Sequence, residues 1–445
     1  MVSISPFVVS SINIQITLIA IVTVAIIYLF TKDLRRNLPP GPWGLPVVGI
    51  LPSLGKHPHE VLTKYANRYG AVFSGKMGNR LTIFVNDYTS MRDMFAKSGD
   101  MFADRPFMII TDAFTSGKGL VSGYLKNNLK EKRRFAMKIM RSFGMGKSSF
   151  EGTIVDEIEY LTREFMKAAE KNECYDPKHM LENAVSNVTC RIVFGKRYDY
   201  EDQAFRRFLT HLYAFLAGAS QAASLNFIPL LKFLPRTGWT ELSEDVSVVF
   251  DEFVIPELKE HKKIFDIDYP RDFIDEMFKE KLEQDKSGVK SVAYDRESRK
   301  QIVADLFAAG TETTSSTLKW ALLYLALNPS IQLKVHQELD SVTCRRHPPS
   351  LSDKPKLVFC EAVVMETLRI RPAVPLGIPH AALEDTTYEG YTIPKGTPII
   401  SNLWAVMHDP NTWQEPERFN PERFIDVTGN LIKKNEFIPF SIGKD

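Results

Sequence analysis

The sequence predicts a mainly α protein with a small β-rich portion (α+β), built as one large domain behind an apolar amino-terminal stretch. Three observations carry this. Helical periodicity dominates from about residue 126 to about residue 370. Period-two alternation is confined to a pair of short segments near residue 80 and a few more after residue 385. No repeat or low-complexity tract divides the 445 residues.

The elements follow in order. FVVSSINIQITLIAIVTVAIIYLF (7–30) holds twenty-four residues without a charge. As a helix it spans roughly 36 Å, enough to cross a bilayer core. Lys32, Arg35 and Arg36 follow at once, and no basic side chain precedes it. That asymmetry predicts a single-pass transmembrane anchor with the body of the protein on the cytosolic side. A cleaved signal peptide fits less well, because the run is too long and lacks a basic leading region. Residues 31–49 include LPPGPWGLPVVG (38–49), whose four prolines and three glycines predict a stiff, non-helical tether. The domain is expected over 50–445. HEVLTKYANRYG reads as a helix ending at Gly70, and AVFSGKMGNRLTIFVND as two strands turning at Gly78-Asn79. Helices are expected at 126–143, 150–170, 179–194, 201–218, 241–265, 271–284, 297–327 and 329–340. Short strands in YEGYTIPKG and TPIISNLWA then alternate with proline-rich irregular chain.

Lys+Arg 56 against Asp+Glu 54 leaves +2, so no global charge points to nucleic acid. Cys174, Cys190, Cys344 and Cys360 include no CxxC pair, which speaks against a disulfide framework or a zinc site and for a reducing compartment.

Three stretches carry chemistry. QIVADLFAAGTETTSSTLKWALLYLAL (301–327) has apolar flanks but seven consecutive hydroxyl or acidic residues, Thr311 to Thr317, behind Ala309-Gly310. Such a centre is poor helix material, and local rule-breaking of this kind marks functional sites. Glu312 beside Thr313 could relay protons, and Gly310 could let a ligand approach the backbone. The alternative is a helix bent by hydroxyl back-bonding, with its polar face in solvent. In EAVVMETLRIRP (361–372), Glu366 and Arg369 share a helix face among apolar neighbours, where an ion pair needs further partners. WQEPERFNPERF (413–424) places Arg423 in irregular chain, where a guanidinium can bond a carboxylate and carbonyls together. Lys126, Lys130, Lys132, Arg133, Arg134, Lys138 and Arg141 crowd one helical stretch, either to steer an acidic partner or as a solvated basic face.

In this order the motifs resemble the cytochrome P450 haem-thiolate monooxygenases, from the amino-terminal run to the last residues. AGTETT (309–314) is similar to the family's oxygen-activating helix, ETLR (366–369) and PERF (421–424) to its Glu-Arg-Arg triad, and FSIG (440–443) to the start of its haem-binding loop. The tether, FADRP (102–106) and EKRRFAMKIMRSFGMGK (131–147) resemble the animal microsomal branch.

The resemblance implies haem b and O2 as cofactors, with electrons from NADPH reaching the protein through a reductase. It implies NADPH-cytochrome P450 reductase and cytochrome b5 as partners, a lipophilic small-molecule substrate, and the endoplasmic reticulum membrane as location. Glu312 and Thr313 would deliver protons during dioxygen activation. Arg105, Arg133 and His380 would face haem propionates, although a lone histidine is more often a packed or surface residue. Phe437 and Phe440 would lie near the ring or in the core, and Gly443 in the haem-binding loop. Glu366, Arg369 and Arg423 would be structural.

Two departures stand out. Leu129 occupies the position where the family has a tryptophan, and Asp445 stands where its F-x-x-G-x-R-x-C pattern has arginine. None of the four cysteines matches that pattern, so the resemblance assigns no metal ligand within these residues. The expectation is a monooxygenase whose sequence continues past this point. The alternatives are a non-catalytic, membrane-anchored binding or regulatory protein, and a haem isomerase or dehydratase on the same fold.

Overall fold

The computed structural model describes residues 37–143, 150–171, 174–288 and 295–443. The expected anchor at 7–30 lies outside the described residues. Among the described residues, no helix is long and apolar enough to cross a membrane. The fold is mainly helical with small sheets, as expected, and its contacts fall into two compact units.

The first unit comprises residues up to Pro106 together with Pro379–Ser401 and the last few residues. Helix α1 (Pro58–Tyr69) ends at Gly70. It buries Leu62 and sets Tyr65 edge-on to Phe73, 6.0 Å between ring centres. Strands β1 (Val72–Met77) and β2 (Arg80–Val85) form the expected hairpin, Val72 opposite Val85 and Met77 opposite Arg80. The hairpin belongs to a larger sheet. β2 runs parallel to β6 (Pro398–Ser401), which pairs antiparallel with β3 (His380–Ala381). A second ribbon pairs β4 (Thr386–Tyr388) with β5 (Tyr391–Ile393). Phe73, Ile83, Val85 and Ile399 are fully buried, so both faces of the sheet's centre are covered.

Residues 39–49 are non-helical and lie along β1. Ser74 donates its amide to Pro40 O (2.8 Å) and its hydroxyl to Pro39 O (2.6 Å), and Gly49 bridges to Met77. Gly49 has φ +62°, and a Cβ there would stand 1.8 Å from Lys76 O, so this approach requires glycine. In TPIISNLWA the strand stops at Ser401. The next unit begins at Asn402, whose side chain caps the short helix Leu403–Met407 by accepting from the Ala405 amide (3.2 Å).

The second unit spans Phe107–Ile378 and Asn402–Ile442. Its longer helices are α2 (Leu129–Ser142), α3 (Glu151–Glu170), α4 (Lys178–Val193), α5 (Gln203–Gln221), α6 (Trp239–Ser247), α7 (Ile255–Ile264), α8 (Phe273–Lys286), α9 (Arg296–Leu327), α10 (Pro329–Thr343) and α11 (Val358–Ile370). The stretch 241–265, read from its periodicity as one helix, contains a π-helical turn at Val248–Val254. Pro256 supplies a reason, since it has no amide to continue the α-helical ladder. The core gathers α2, α4, α5, α8 and α9 around an aromatic cluster. Phe208 stacks on Phe253 at 3.9 Å and lies 4.9 Å from Phe307.

Candidate functional site

Helix α9 starts at the cap of Asp295, which accepts from the Ser298 amide at 2.7 Å. It sinks Ile302, Val303, Phe307, Thr311 and Ser315 into the core. At mid-length its other face opens: Ala309 and Thr314 are exposed and Thr313 is half-buried. The hydroxyl run survives as helix because its side chains bond back to the ladder. Thr313 Oγ1 donates to Ala309 O (2.7 Å), Thr317 Oγ1 to Thr313 O (2.9 Å) and Ser315 Oγ to Glu312 O (3.1 Å). The bent-helix alternative is therefore present in part. Glu312 accepts from Ser316 Oγ (3.0 Å), so acid and hydroxyl stand on adjacent turns of an open face. The Tyr213 hydroxyl, on α5, bonds Ser315 Oγ at 3.0 Å and ties α5 to the same turn. Gly310 serves differently from its expectation. A Cβ there would stand 3.1 Å from Thr189 Oγ1, so the glycine admits α4 rather than a ligand.

Glu366, Arg369 and Arg423 are brought together. Arg369 donates to both Glu366 oxygens (Nε 2.7 Å, Nη2 2.9 Å), and neither side chain is exposed. Glu366 Oε1 also accepts from Arg423 Nε (3.1 Å) and the Asn420 amide (2.9 Å). The remaining guanidinium donors hold irregular chain: Arg369 reaches Met407 O and Pro416 O, each at 2.7 Å, and Arg423 reaches Gln414 O, Glu415 O and Arg418 O. Trp413 is fully buried, with its ring 5.4 Å from the Arg369 guanidinium. A buried carboxylate thus has a full set of donors, the condition for tolerating its burial.

Arg133, half-buried on α2, donates Nε to Leu120 O (3.1 Å). Phe437 packs edge-on against Phe424 (5.2 Å), whereas Phe440 is 82% exposed and plays no core role in its unit. In the first unit, Arg105 is buried and donates to Pro379 O (3.2 Å), the residue before His380. His380 Nδ1 donates to Phe102 O (2.8 Å), and its ring lies 4.7 Å from Phe95. Gly443, at φ +152°, passes so close to Phe95 that a Cβ would stand 2.9 Å from its carbonyl oxygen. The departure at Leu129 is buried in α2.

The basic stretch needs one correction. Lys126, Lys130, Arg134, Lys138 and Arg141 are exposed, but Lys132 is buried and donates to Lys118 O (2.7 Å). Its alkyl stem belongs to the inward face of α2. Asp305, on α9, had no assigned role. It accepts from the Leu120 and Val121 amides (2.6 and 3.0 Å) and from Gln301 (2.7 Å), fixing the segment before α2. Burial pushes its carboxyl above the usual range. The signal was an acid within the apolar run QIVADLFAAG.

These residues suit a planar apolar group with anionic edges. Within the second unit, an open strip on a core helix, the exposed Phe440 and the basic Arg133 are side chains of the types such a group needs. Burial pushes the Cys190 thiol well up, and burial with Glu338 pushes Cys360 up to about 12, which disfavours the thiolate form of both.

Comparison with known proteins gives the class, that of the haem-dependent monooxygenases. The Cytochrome P450 family model matches residues 39–444. Among similar proteins, human cytochrome P450 2U1 is 37% identical over 435 residues, covering 92% of this chain and 79% of its own. Rat (Rattus norvegicus) cytochrome P450 2J3 is 36% identical over 440 residues, covering 97% and 86%. Human cytochrome P450 2C8 is 37% identical over 415 residues, covering 92% and 83%. The chain belongs to the cytochrome P450 family, whose cofactors are haem and O2.

Proposed function

We propose that this protein is a membrane-anchored monooxygenase of the endoplasmic reticulum that oxidises a lipophilic small molecule, with NADPH electrons delivered by NADPH-cytochrome P450 reductase and assisted by cytochrome b5. The observation that carries the reading is the Glu312–Thr313 pair on the open face of α9, inside a helix otherwise committed to the core. Haem, when bound, supplies dioxygen activation.

The chain's own residues do the rest. Thr313 Oγ, held by its bond to Ala309 O, stands where it can accept and donate a proton at the open face. Glu312, braced by Ser316, can replenish that proton from the solvent side. Arg105, Arg133 and His380 would orient the carboxylates of haem, and Phe437, Phe440 and Gly443 would line its approach. Glu366, Arg369 and Arg423 hold the loops that frame the site. The charge-free run at 7–30 and the basic residues after it support the anchor and its orientation. The exposed basic face of α2 supports an acidic redox partner. Reconstitution of the complete form, carrying the cysteine of the F-x-x-G-x-R-x-C pattern, with the reductase in phospholipid vesicles tests this. NADPH-driven O2 uptake should incorporate one oxygen atom into a lipophilic substrate; NADPH-independent turnover, or no turnover with the reductase present, would overturn it.

A further inference from the structure

One face of α7, the middle of α8 and the first turns of α9 line an open cavity of about 360 Å³. Its lining is Ile255, Leu258, Lys259 and Lys262 of α7, Phe278 of α8, and Arg296, Arg299 and Lys300 of α9, so five cations meet three apolar side chains and no acid. Helical spacing accounts for the gathering. Residues 255, 258, 259 and 262 share one face of α7, and 296, 299 and 300 share one face of α9.

Among the described residues, Lys300 pairs with Glu297 (2.7 Å), while Lys259, Lys262, Arg296 and Arg299 have no ion pair. Arg299 is half-buried and held by a ring instead of a carboxylate, its guanidinium 5.5 Å from the centre of Phe278. That contact fixes the group and leaves its planar fork of donors available. Burial lowers the Arg299 pKa, and Asp295 and Asp285 only partly offset this, so an anion here would relieve a real electrostatic cost. The amino-terminal end of α9 adds the positive end of a helix dipole, although Asp295 already caps the Ser298 amide.

We propose that this cavity binds a phosphate ester with an apolar or aromatic body: the phosphates on Lys259, Lys262, Arg296 and Arg299, the body against Ile255, Leu258 and Phe278. Four unpaired cations favour a polyanion over a single carboxylate. The same chemistry is carried by a soluble nucleotide and by a phosphoinositide headgroup.

The test uses the full chain in nonionic detergent, with magnesium-free ATP as one probe. The other is phosphatidylcholine vesicles with or without phosphatidylinositol 4,5-bisphosphate. The double variant Arg299→Gln/Lys262→Gln should weaken binding of the competent probe by about tenfold or more, while Lys56→Gln/Lys64→Gln, which removes the same charge elsewhere, should not. Lys262→Gln alone, at an exposed position, keeps the test independent of folding. Binding of ATP alone identifies a soluble ligand, and phosphoinositide-dependent vesicle binding that ATP displaces identifies the headgroup; either supports the proposal. No binding of either probe, or equal loss in both double variants, overturns it.

Discussion

Arg369 grips Glu366 at two points, 2.7 and 2.9 Å, with both side chains wholly out of solvent. The pair is the hub of an arrangement reaching Met407, Pro416, Asn420 and Arg423. Removing either partner strands a charge in the core and frees irregular chain that has no ladder of its own. Glu366→Ala and Arg369→Ala should each cost about 3–5 kcal/mol. Arg369→Lys should also destabilise, because a point charge cannot satisfy four separate acceptors. Thermal unfolding of purified protein measures this; folding at wild-type stability would contradict the role assigned here.

Asp305 is expected to act on the segment before α2. In Asp305→Ala the Leu120 and Val121 amides lose their acceptor, at about 1–3 kcal/mol. Asp305→Asn retains an acceptor and should recover most of it. Amide hydrogen exchange at residues 120 and 121 measures this, and wild-type protection in Asp305→Ala would show that Asp305 does not hold the segment.

His261, buried on α7, contacts Asp272, the cap of α8, at 3.0 Å. Burial alone would lower its pKa, but the Asp272 carboxylate outweighs it and the value rises above the ordinary 6.5. A raised histidine pKa contributes stability that is fully present below the unfolded value and lost as pH rises through the folded one. Melting temperature should therefore fall as pH rises from 6 to 9 more steeply in wild type than in His261→Gln. Parallel profiles would remove His261 from the account.

Much of this architecture was legible in the sequence because its signals are local. The period of α3, α4, α9 and α10 and the turn residues Gly78-Asn79 depend on near neighbours, as does the Glu366/Arg369 spacing. What escaped depends on partners distant in sequence. Lys132 reads as one more surface cation until α2 is oriented. Gly310 reads as a ligand approach until Thr189 arrives beside it. Asp305 earns its place only when residues 120 and 121 fold onto α9. The π-helical turn before Pro256 and the capped helix after Asn402 likewise follow from backbone hydrogen bonding that periodicity does not report. The cation-lined cavity is of the same kind, since its two basic faces lie more than thirty positions apart in sequence.

We propose that Thr313, on the open face of α9, moves protons in the monooxygenase reaction. The most direct measurement is coupling, product formed per O2 consumed, in wild type and Thr313→Ala under reconstituted turnover. O2 uptake should persist while coupling falls by about tenfold or more, and Thr313→Ser should restore much of it. Coupling in Thr313→Ala equal to wild type would reduce Thr313 to a helix residue that bonds Ala309, and would contradict the account.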